Sequence, residues 1–167
     1  MTLKNMKSYL NLVLCYPQIP QNTGCIARTC AATFTNLHLI EPLGFELTES
    51  RLKRAGVDYW PYVSLTKHTG WSEFLKHKKN LPGRLLAFSP RGLSNYLEFQ
   101  YEPNDWIIHG RESDGLPNEI MADCDHILYI PMFSPDIRSL NLSVSASLSL
   151  YEGIRALNYC QNLTRPS

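Results

Sequence analysis

The sequence contains no long apolar run, and this absence argues against a membrane span. A helix needs about 20 consecutive apolar residues to cross a bilayer, whereas prolines and amides interrupt the uncharged stretch 8–27. Two lysines precede the apolar residues 9–16, as in a signal peptide, but no small-residue cleavage site follows them. We therefore expect residues 9–16 to contain a buried first strand.

The sequence also lacks paired cysteine motifs and a large net charge. The five cysteines are odd in number and form no CxxC pair, which disfavours a zinc ribbon or a disulfide framework and fits a reducing, cytoplasmic compartment. The formal net charge of +1 does not by itself indicate a nucleic-acid partner. With 167 residues, 44% of them hydrophobic, the chain is expected to form one globular domain spanning 1–167.

The charge distribution is more informative than the total. Residues 51–91 carry nine basic and two acidic side chains, whereas residues 92–136 carry nine acidic side chains and one basic. This asymmetry is compatible with a basic face or with two ordinary solvated surfaces.

Short apolar runs separated by helical patterns predict an α/β fold with a parallel sheet. The candidate strands are residues 10–15, 37–40, 85–88, 106–109 and 127–130. Ser72 is a candidate cap for a helix that buries Phe74 and Leu75. Residues 140–150 alternate leucine or another apolar residue with serine or asparagine, and this period of two favours a strand, although a helical stripe is also compatible with it.

The first candidate motif is residues 19–28, Ile-Pro-Gln-Asn-Thr-Gly-Cys-Ile-Ala-Arg, which follows the first strand. Pro20 and Gly24 suit a tight passage from strand to helix. Helix N-termini attract anions, and Arg28 could serve the same anion. Taken alone, the motif is better explained as a loop with an Asn cap and a surface arginine.

The second motif is residues 109–117, His-Gly-Arg-Glu-Ser-Asp-Gly-Leu-Pro, which follows another candidate strand. Open α/β sheets bind ligands at the C-terminal ends of their strands. The motif is not GxGxxG, so a nucleotide-dependent oxidoreductase is not supported. His109 could act as a general base, but a strand-end histidine satisfied by hydrogen bonds is the favoured interpretation.

The third motif is residues 130–143, whose prolines argue against a helix before about residue 137. Polar residues collect at its far end, at Ser139, Asn141 and Ser143. No GxSxG pattern accompanies them, so covalent hydrolysis is not indicated.

In this order and spacing, the three motifs resemble the SPOUT superfamily of RNA methyltransferases, in particular its TrmL branch of tRNA wobble-nucleotide 2′-O-methyltransferases. The resemblance extends over about residues 10–157, includes segments 40–45 and 51–59, and excludes an N-terminal extension, 1–8. It implies a parallel sheet with helices on both faces and a C-terminal deep trefoil knot at roughly 84–160. It also implies a helix from Leu140 onward and a homodimer formed through the first and last helices, with both subunits shaping each site.

The resemblance further implies S-adenosylmethionine as the methyl donor, S-adenosylhomocysteine as the product and no metal. The cofactor-binding positions that it indicates are Phe88, Gly110, Ile130, Ser139 and Leu140. The catalytic positions that it indicates are Arg28, Asn22, Glu112, Ser139 and Asn141. A guanidinium stays protonated near neutral pH and is therefore a poor base. Arg28 would instead bind the phosphate beside the target ribose and orient the hydroxyl.

The implied partner is the anticodon loop of tRNA, with the basic segment 51–91 as its candidate surface and Tyr16 and Tyr151 as candidate stacking residues. The chain departs from the branch at His109, Phe88, Ser145 and Ser147. Two alternatives stay open: the same reaction at another RNA site, and an RNA-binding protein that kept the fold without catalysis.

Overall fold

A computed structural model describes residues 9–46 and 59–158 of the chain. The extension 1–8, most of segment 51–59, Cys160 and the last residues of the expected knot lie outside these ranges. The described strands are β1 (Asn11–Cys15), β2 (Asn36–Ile40), β3 (Leu65–His68), β4 (Leu85–Phe88), β5 (Ser94–Asn95), β6 (Trp106–His109) and β7 (His126–Tyr129). The described α-helices are α1 (Pro20–Thr33), α2 (Trp71–Lys78), α3 (Asn118–Ala122) and α4 (Leu142–Ala156).

The described strands form one sheet in the order β3-β2-β1-β6-β4-β7-β5, and every strand pair is parallel. All five predicted strands are present, with ends that differ by at most one residue. Two further strands were not expected from the apolar pattern. The strand β3 contains the polar residues Thr66, Lys67 and His68, and β5 is only two residues long.

Helices cover both faces of this sheet. On one face, α1 and α4 pack against alternate strand residues such as Leu12, Leu39 and Ile107. On the other face, α2 and α3 pack against the intervening strand residues, including Ile108. The fold is therefore α/β with both sheet faces covered, as the near-continuous apolar strands predict.

The strand predicted for residues 140–150 is wrong, and the helix implied by the family resemblance is correct. The side chain of Asn141 caps α4, because its oxygen accepts a hydrogen bond from the backbone nitrogen of Ser143 at 2.8 Å. Small buried residues let α4 approach its neighbours closely. At Gly153, for example, an added Cβ would lie 2.8 Å from a methyl carbon of Leu10. Tertiary packing thus overrides the local period of two.

Two local expectations also change. The helix α2 begins after Gly70 with no side-chain cap, so Ser72 does not cap it. The helix α1 begins at Pro20, and Gly24 lies inside the helix rather than in the turn before it. In the described ranges, no helix combines the length and apolarity that a membrane crossing requires.

Candidate active site

Three loops meet at the C-terminal ends of the central strands. They follow β4, β6 and β7, and they are the segments 89–92, 110–115 and 130–141. Between the first and third of these loops lies a cavity of about 340 Å³. Four of the expected cofactor-binding residues line it: Phe88, Ile130, Ser139 and Leu140. A cavity of this size is typical of small-molecule sites.

A wider cleft of about 710 Å³ adjoins this cavity and shares part of its lining, including Phe88 and Ser139. The cleft is also lined by Asn22, Gly110 and Glu112. The fifth expected cofactor-binding residue, Gly110, therefore lies in the cleft rather than in the smaller cavity. The structure brings most of the predicted site residues to one end of the sheet.

Close backbone approach explains the glycines of the loop after β6. Arg111 and Gly115 exchange two backbone hydrogen bonds of 3.1 and 3.0 Å, which fold the loop back on itself. An added Cβ at Gly110 would lie 2.2 Å from the carbonyl carbon of Gly115. Gly115 has φ +75°, a conformation that side chains disfavour. This tight loop holds Glu112 at its tip.

The Glu112 carboxylate binds the start of α1 from across the cleft. It accepts hydrogen bonds from the backbone nitrogens of Gln18 at 2.8 Å and Ile19 at 3.1 Å. It also accepts one from the amide nitrogen of Asn22 at 3.0 Å. A negative charge at a helix N-terminus is favourable, because free N–H groups and the helix dipole attract it. Glu112 therefore ties the loop after β6 to the first motif.

Asn22 extends the same network to the third motif. Its amide oxygen accepts a hydrogen bond of 3.0 Å from the side-chain nitrogen of Asn141. The Asn141 oxygen in turn accepts from the backbone and hydroxyl of Ser143, at 2.8 and 2.7 Å. Glu112, Asn22 and Asn141 thus join three distant segments of the sequence into a single hydrogen-bonded chain.

His109 forms part of the wall of both the cavity and the cleft. Its Nε2 lies 2.9 Å from the Ser149 hydroxyl, which itself donates to the carbonyl of Ala146. The imidazole is therefore the donor to Ser149. Burial lowers the pKa of His109 from 6.5 to about 3. The structure thus supports the hydrogen-bonded, neutral histidine over a general base, and the partner Ser149 was not expected from the sequence.

Phe88 stacks against this histidine. The two ring centroids are 5.0 Å apart, and the ring planes meet at 26°. Both residues are expected departures from the branch, and they lie side by side in the cavity wall. The two side chains therefore alter the same part of the cavity wall.

Arg28 is not among the residues that line the cavity or the cleft. It is exposed on α1, nine residues beyond Ile19, which corresponds to about 13 Å along the helix axis. Its guanidinium carbon lies 5.2 Å from the centroid of the Tyr59 ring. Of the expected catalytic residues, Arg28 is thus the one that the fold separates from the others.

The described part of segment 51–91 does not present its charges on one surface. Arg84 pairs with the fully buried carboxylate of Asp105 at 2.7 Å, and Arg91 donates to Asn118 and to the carbonyl of Leu116. These two arginines serve internal contacts. A basic RNA-binding face within segment 51–91 would therefore have to consist of the exposed lysines of β3 and α2 and of residues outside the described ranges.

A stripe of exposed apolar residues runs along α4. Val144, Leu148 and Tyr151 are 46%, 40% and 47% exposed and lie at helical spacing, on the side of α4 away from the core. The hydroxyls of Thr29 and Ser147 link α1 and α4 beside this stripe at 3.1 Å.

In residues 9–46 and 59–158, no group of three or more His, Cys, Asp or Glu side chains is arranged to hold a metal ion.

Comparison with known proteins places this geometry in a family. A family model described as the SpoU rRNA Methylase family matches residues 9–151. The tRNA (cytidine(34)-2′-O)-methyltransferase of Saccharophagus degradans is 46% identical over 151 residues, which cover 89% of this chain and 96% of that protein. The protein of the same name from Escherichia coli K12 is 41% identical over 152 residues, covering 90% of this chain and 95% of that one.

Solved structures agree in fold. A structure that concerns the 2-OH methylation of C/U34 on tRNA superposes with a TM-score of 0.83 at 46% identity, covering 90% of this chain and 97% of that chain. The SpoU methyltransferase AviRb from Streptomyces viridochromogenes, in complex with the cofactor AdoMet, superposes with a TM-score of 0.81. At 21% identity, with 92% of this chain and 59% of that chain covered, the second likeness concerns the fold alone.

Proposed function

The chain belongs to the SpoU methylase family, and from this premise we propose that it methylates the ribose 2′-oxygen of nucleotide 34, the wobble nucleotide of tRNA. The methyl donor is S-adenosylmethionine, and the product is S-adenosylhomocysteine. The observation that carries the proposal is that residues of all three motifs line one cleft, which adjoins the cavity, in a chain whose relatives of 41% and 46% identity bear the name of this activity. Since tRNA is the substrate, we expect the enzyme to work in the cytoplasm.

The cavity fits a folded nucleoside cofactor. It combines the aromatic wall of Phe88 with apolar groups of Ile130 and Leu140 and the polar end of Ser139, and backbone groups of the loop at Gly110 face the adjoining cleft. These residues would hold S-adenosylmethionine, which supplies an activated methyl group on a positively charged sulfur. The neutral state of His109 suits this role, because a protonated imidazole in the wall would repel the sulfonium.

The remaining site residues position the RNA. Asn22, Glu112 and Asn141 hold the start of α1 against the loop after β6, so the entrance to the cleft keeps one shape. Positioning of this kind raises the rate because it removes the entropic cost of aligning two reactants. Arg28 binds the phosphate next to the target ribose and orients its hydroxyl for attack.

A homodimer reconciles the role of Arg28 with its position. Because Arg28 lies away from the cavity of its own subunit, we propose that it serves a site completed by the partner subunit. The exposed stripe Val144, Leu148 and Tyr151 on α4 supports an interface that includes α4 and the neighbouring α1.

We also propose that residues 1–167 form one methyltransferase domain with a trefoil knot at roughly 84–160. The sheet order supports the knot, because β7 pairs with β4 on one side and with β5 on the other. The chain must therefore place β7 between two strands that precede it. Segment 130–141, which follows β7, then returns to the cavity beside the loop after β4.

Substitution of Arg28 tests the proposed function. Wild-type protein incubated with tRNA and S-adenosylmethionine should yield 2′-O-methylated nucleotide 34, detected by mass spectrometry of tRNA digests. Arg28→Ala should lower the transfer rate at least about 100-fold, since a charged group that acts on the reacting centre contributes effects of this order. Cofactor affinity, measured by calorimetry, should stay within about twofold.

Glu98→Ala is the control, because Glu98 is an exposed charged side chain outside the cavity and the cleft, and it should retain activity. Full turnover by Arg28→Ala would contradict the assigned role. A methyl group found at another nucleotide would indicate the same reaction on another RNA site. Absence of cofactor binding by the wild type would indicate the non-catalytic RNA-binding alternative.

A further inference from the structure

A short aromatic turn next to α1 has no role in the site described above. Residues Trp60–Tyr62 form a single 3-10 turn, closed by backbone hydrogen bonds from Tyr62 to Tyr59 at 2.9 Å and from Val63 to Trp60 at 3.1 Å. Trp60 and Val63 pack against the core beneath α1 and α4. Tyr59 and Tyr62 remain 48% and 74% exposed. The turn therefore presents two tyrosine rings to solvent on an anchored backbone.

Arg28 lies against this turn. Its guanidinium carbon is 5.2 Å from the centroid of the Tyr59 ring, within the range of a cation–π contact. Arg28 shares the exposed side of α1 with Gln21 and Cys25. The guanidinium and the Tyr59 ring are therefore in contact, and Tyr62 belongs to the same turn.

Within the described residues, the two segments that meet here carry only positive formal charges. The helix α1 contains one charged residue, Arg28, and residues 59–72 contain one, Lys67; neither segment has an acidic residue. Exposed aromatic rings combined with arginine match the chemistry of unpaired RNA. Bases stack on tyrosine rings and guanidinium planes, and phosphates attract the cation. A tyrosine held on a rigid backbone also loses little conformational entropy on binding.

We propose that Arg28, Tyr59 and Tyr62 form an RNA-binding surface on which unpaired bases of the substrate loop stack. This inference rests on the proposed function in that it takes RNA as the substrate. Because Arg28 is proposed to bind the phosphate next to the target ribose, the bases that stack here are neighbours of the target nucleotide rather than the target itself. The surface would thus select unpaired loops over duplex RNA.

Binding to two RNAs tests the surface. The probes are a hairpin with an unpaired loop and a fully paired duplex of equal length, both titrated without cofactor against wild type and variants. Tyr62→Ala should weaken binding to the hairpin about tenfold, the effect of losing one stacked base, and should leave binding to the duplex unchanged. Tyr62→Phe should bind like the wild type, because it keeps the ring.

Tyr9→Ala is the matched control, since Tyr9 is an exposed tyrosine just before β1, outside this turn. Hairpin affinity unchanged in Tyr62→Ala overturns the proposal, and so does an equal loss on hairpin and duplex. A change in oligomeric state in place of RNA affinity would make the turn a subunit interface and would also overturn it. Wild type that binds the hairpin tightly yet transfers no methyl group would contradict the proposed function and leave the RNA-binding surface standing.

Discussion

The two faces of the sheet bury histidines in contrasting surroundings. On the face of α1 and α4, His109 bonds to the Ser149 hydroxyl and stacks on Phe88 in the cavity wall. On the face of α2 and α3, His38 lies 3.0 Å from a nitrogen of His68, and their rings are stacked with centroids 5.3 Å apart.

A third histidine completes the second group. The His77 ring on α2 is 5.5 Å from His38 and 5.1 Å from His68, between centroids. Burial lowers the pKa of His38 from 6.5 to about 3, and repulsion from the other two histidines contributes. Burial also lowers the pKa of His68, against the opposing attraction of Glu73. One face therefore places a neutral histidine beside the cavity, whereas the other joins β2 and β3 through His38 and His68, whose pKa values are lowered, with the His77 ring of α2 against them.

The largest expected effect is acid destabilisation through both histidine sites. In the unfolded chain each imidazole gains its proton near pH 6.5, whereas His38 and His109 in the fold gain theirs near pH 3. Between these values the unfolded state binds more protons, so the free energy of unfolding falls as the pH falls. The expected slope is about 1.4 kcal/mol per pH unit for each histidine.

Single substitutions separate the two faces in this experiment. His38→Gln and His109→Gln should each reduce the acid slope of chemical denaturation, measured between pH 6 and pH 4. His109→Gln should also weaken binding of S-adenosylmethionine several-fold, because only this histidine lines the cavity. His126→Gln, at a partly exposed position, is the control. Equal cofactor affinity in all three variants would erase the distinction between the faces.

The next largest effect concerns the Glu112 network. Glu112→Ala removes a charged acceptor of three hydrogen bonds, each worth about 1.5 kcal/mol when one partner is charged and less where water can replace it. Methyl transfer should fall about 10- to 100-fold, with a modest drop in the melting temperature. Glu98→Ala, which removes an exposed acid outside the cleft, should keep full activity. Equal activity in the two variants would show that the cleft keeps its shape without Glu112.

The smallest effect compares two serines of α4. Ser149→Ala leaves the buried Nε2 of His109 without its acceptor and should cost about 1–2 kcal/mol of stability. Ser147→Ala removes a half-buried hydroxyl contact to Thr29 and should cost about 0.5 kcal/mol. Urea denaturation of both variants measures the difference. A reversed order would mean that the α1–α4 contact matters more than the cavity wall.

Sequence patterns predicted the central sheet because its strands are buried on both faces and therefore read as short apolar runs. The edge strand β3 was missed because only part of it is buried, so polar residues are allowed there. The alternating segment 140–150 was assigned to a strand because its apolar and polar residues have a period of two. The same residues are also compatible with a helical stripe. Only packing around Gly153 and the cap at Asn141 distinguish the helix.

The candidate site divides in the same way. Family resemblance indicated Phe88, Ile130, Ser139 and Leu140, and these residues do share one cavity. The partnership of Glu112 with Gln18 spans 94 positions of sequence, and no local pattern encodes such a contact. The position of Arg28 beside Tyr59 likewise depends on how α1 packs against a distant turn.

The place of β7 in the sheet has a consequence for biosynthesis. Among the described residues, β5 pairs with β7 alone, so β5 has no strand to join until residues 126–129 have emerged from the ribosome. A nascent chain that ends earlier leaves one edge of β4 bare as well, and bare edges invite aggregation. Stop codons before position 126 should therefore yield insoluble fragments rather than a smaller native protein.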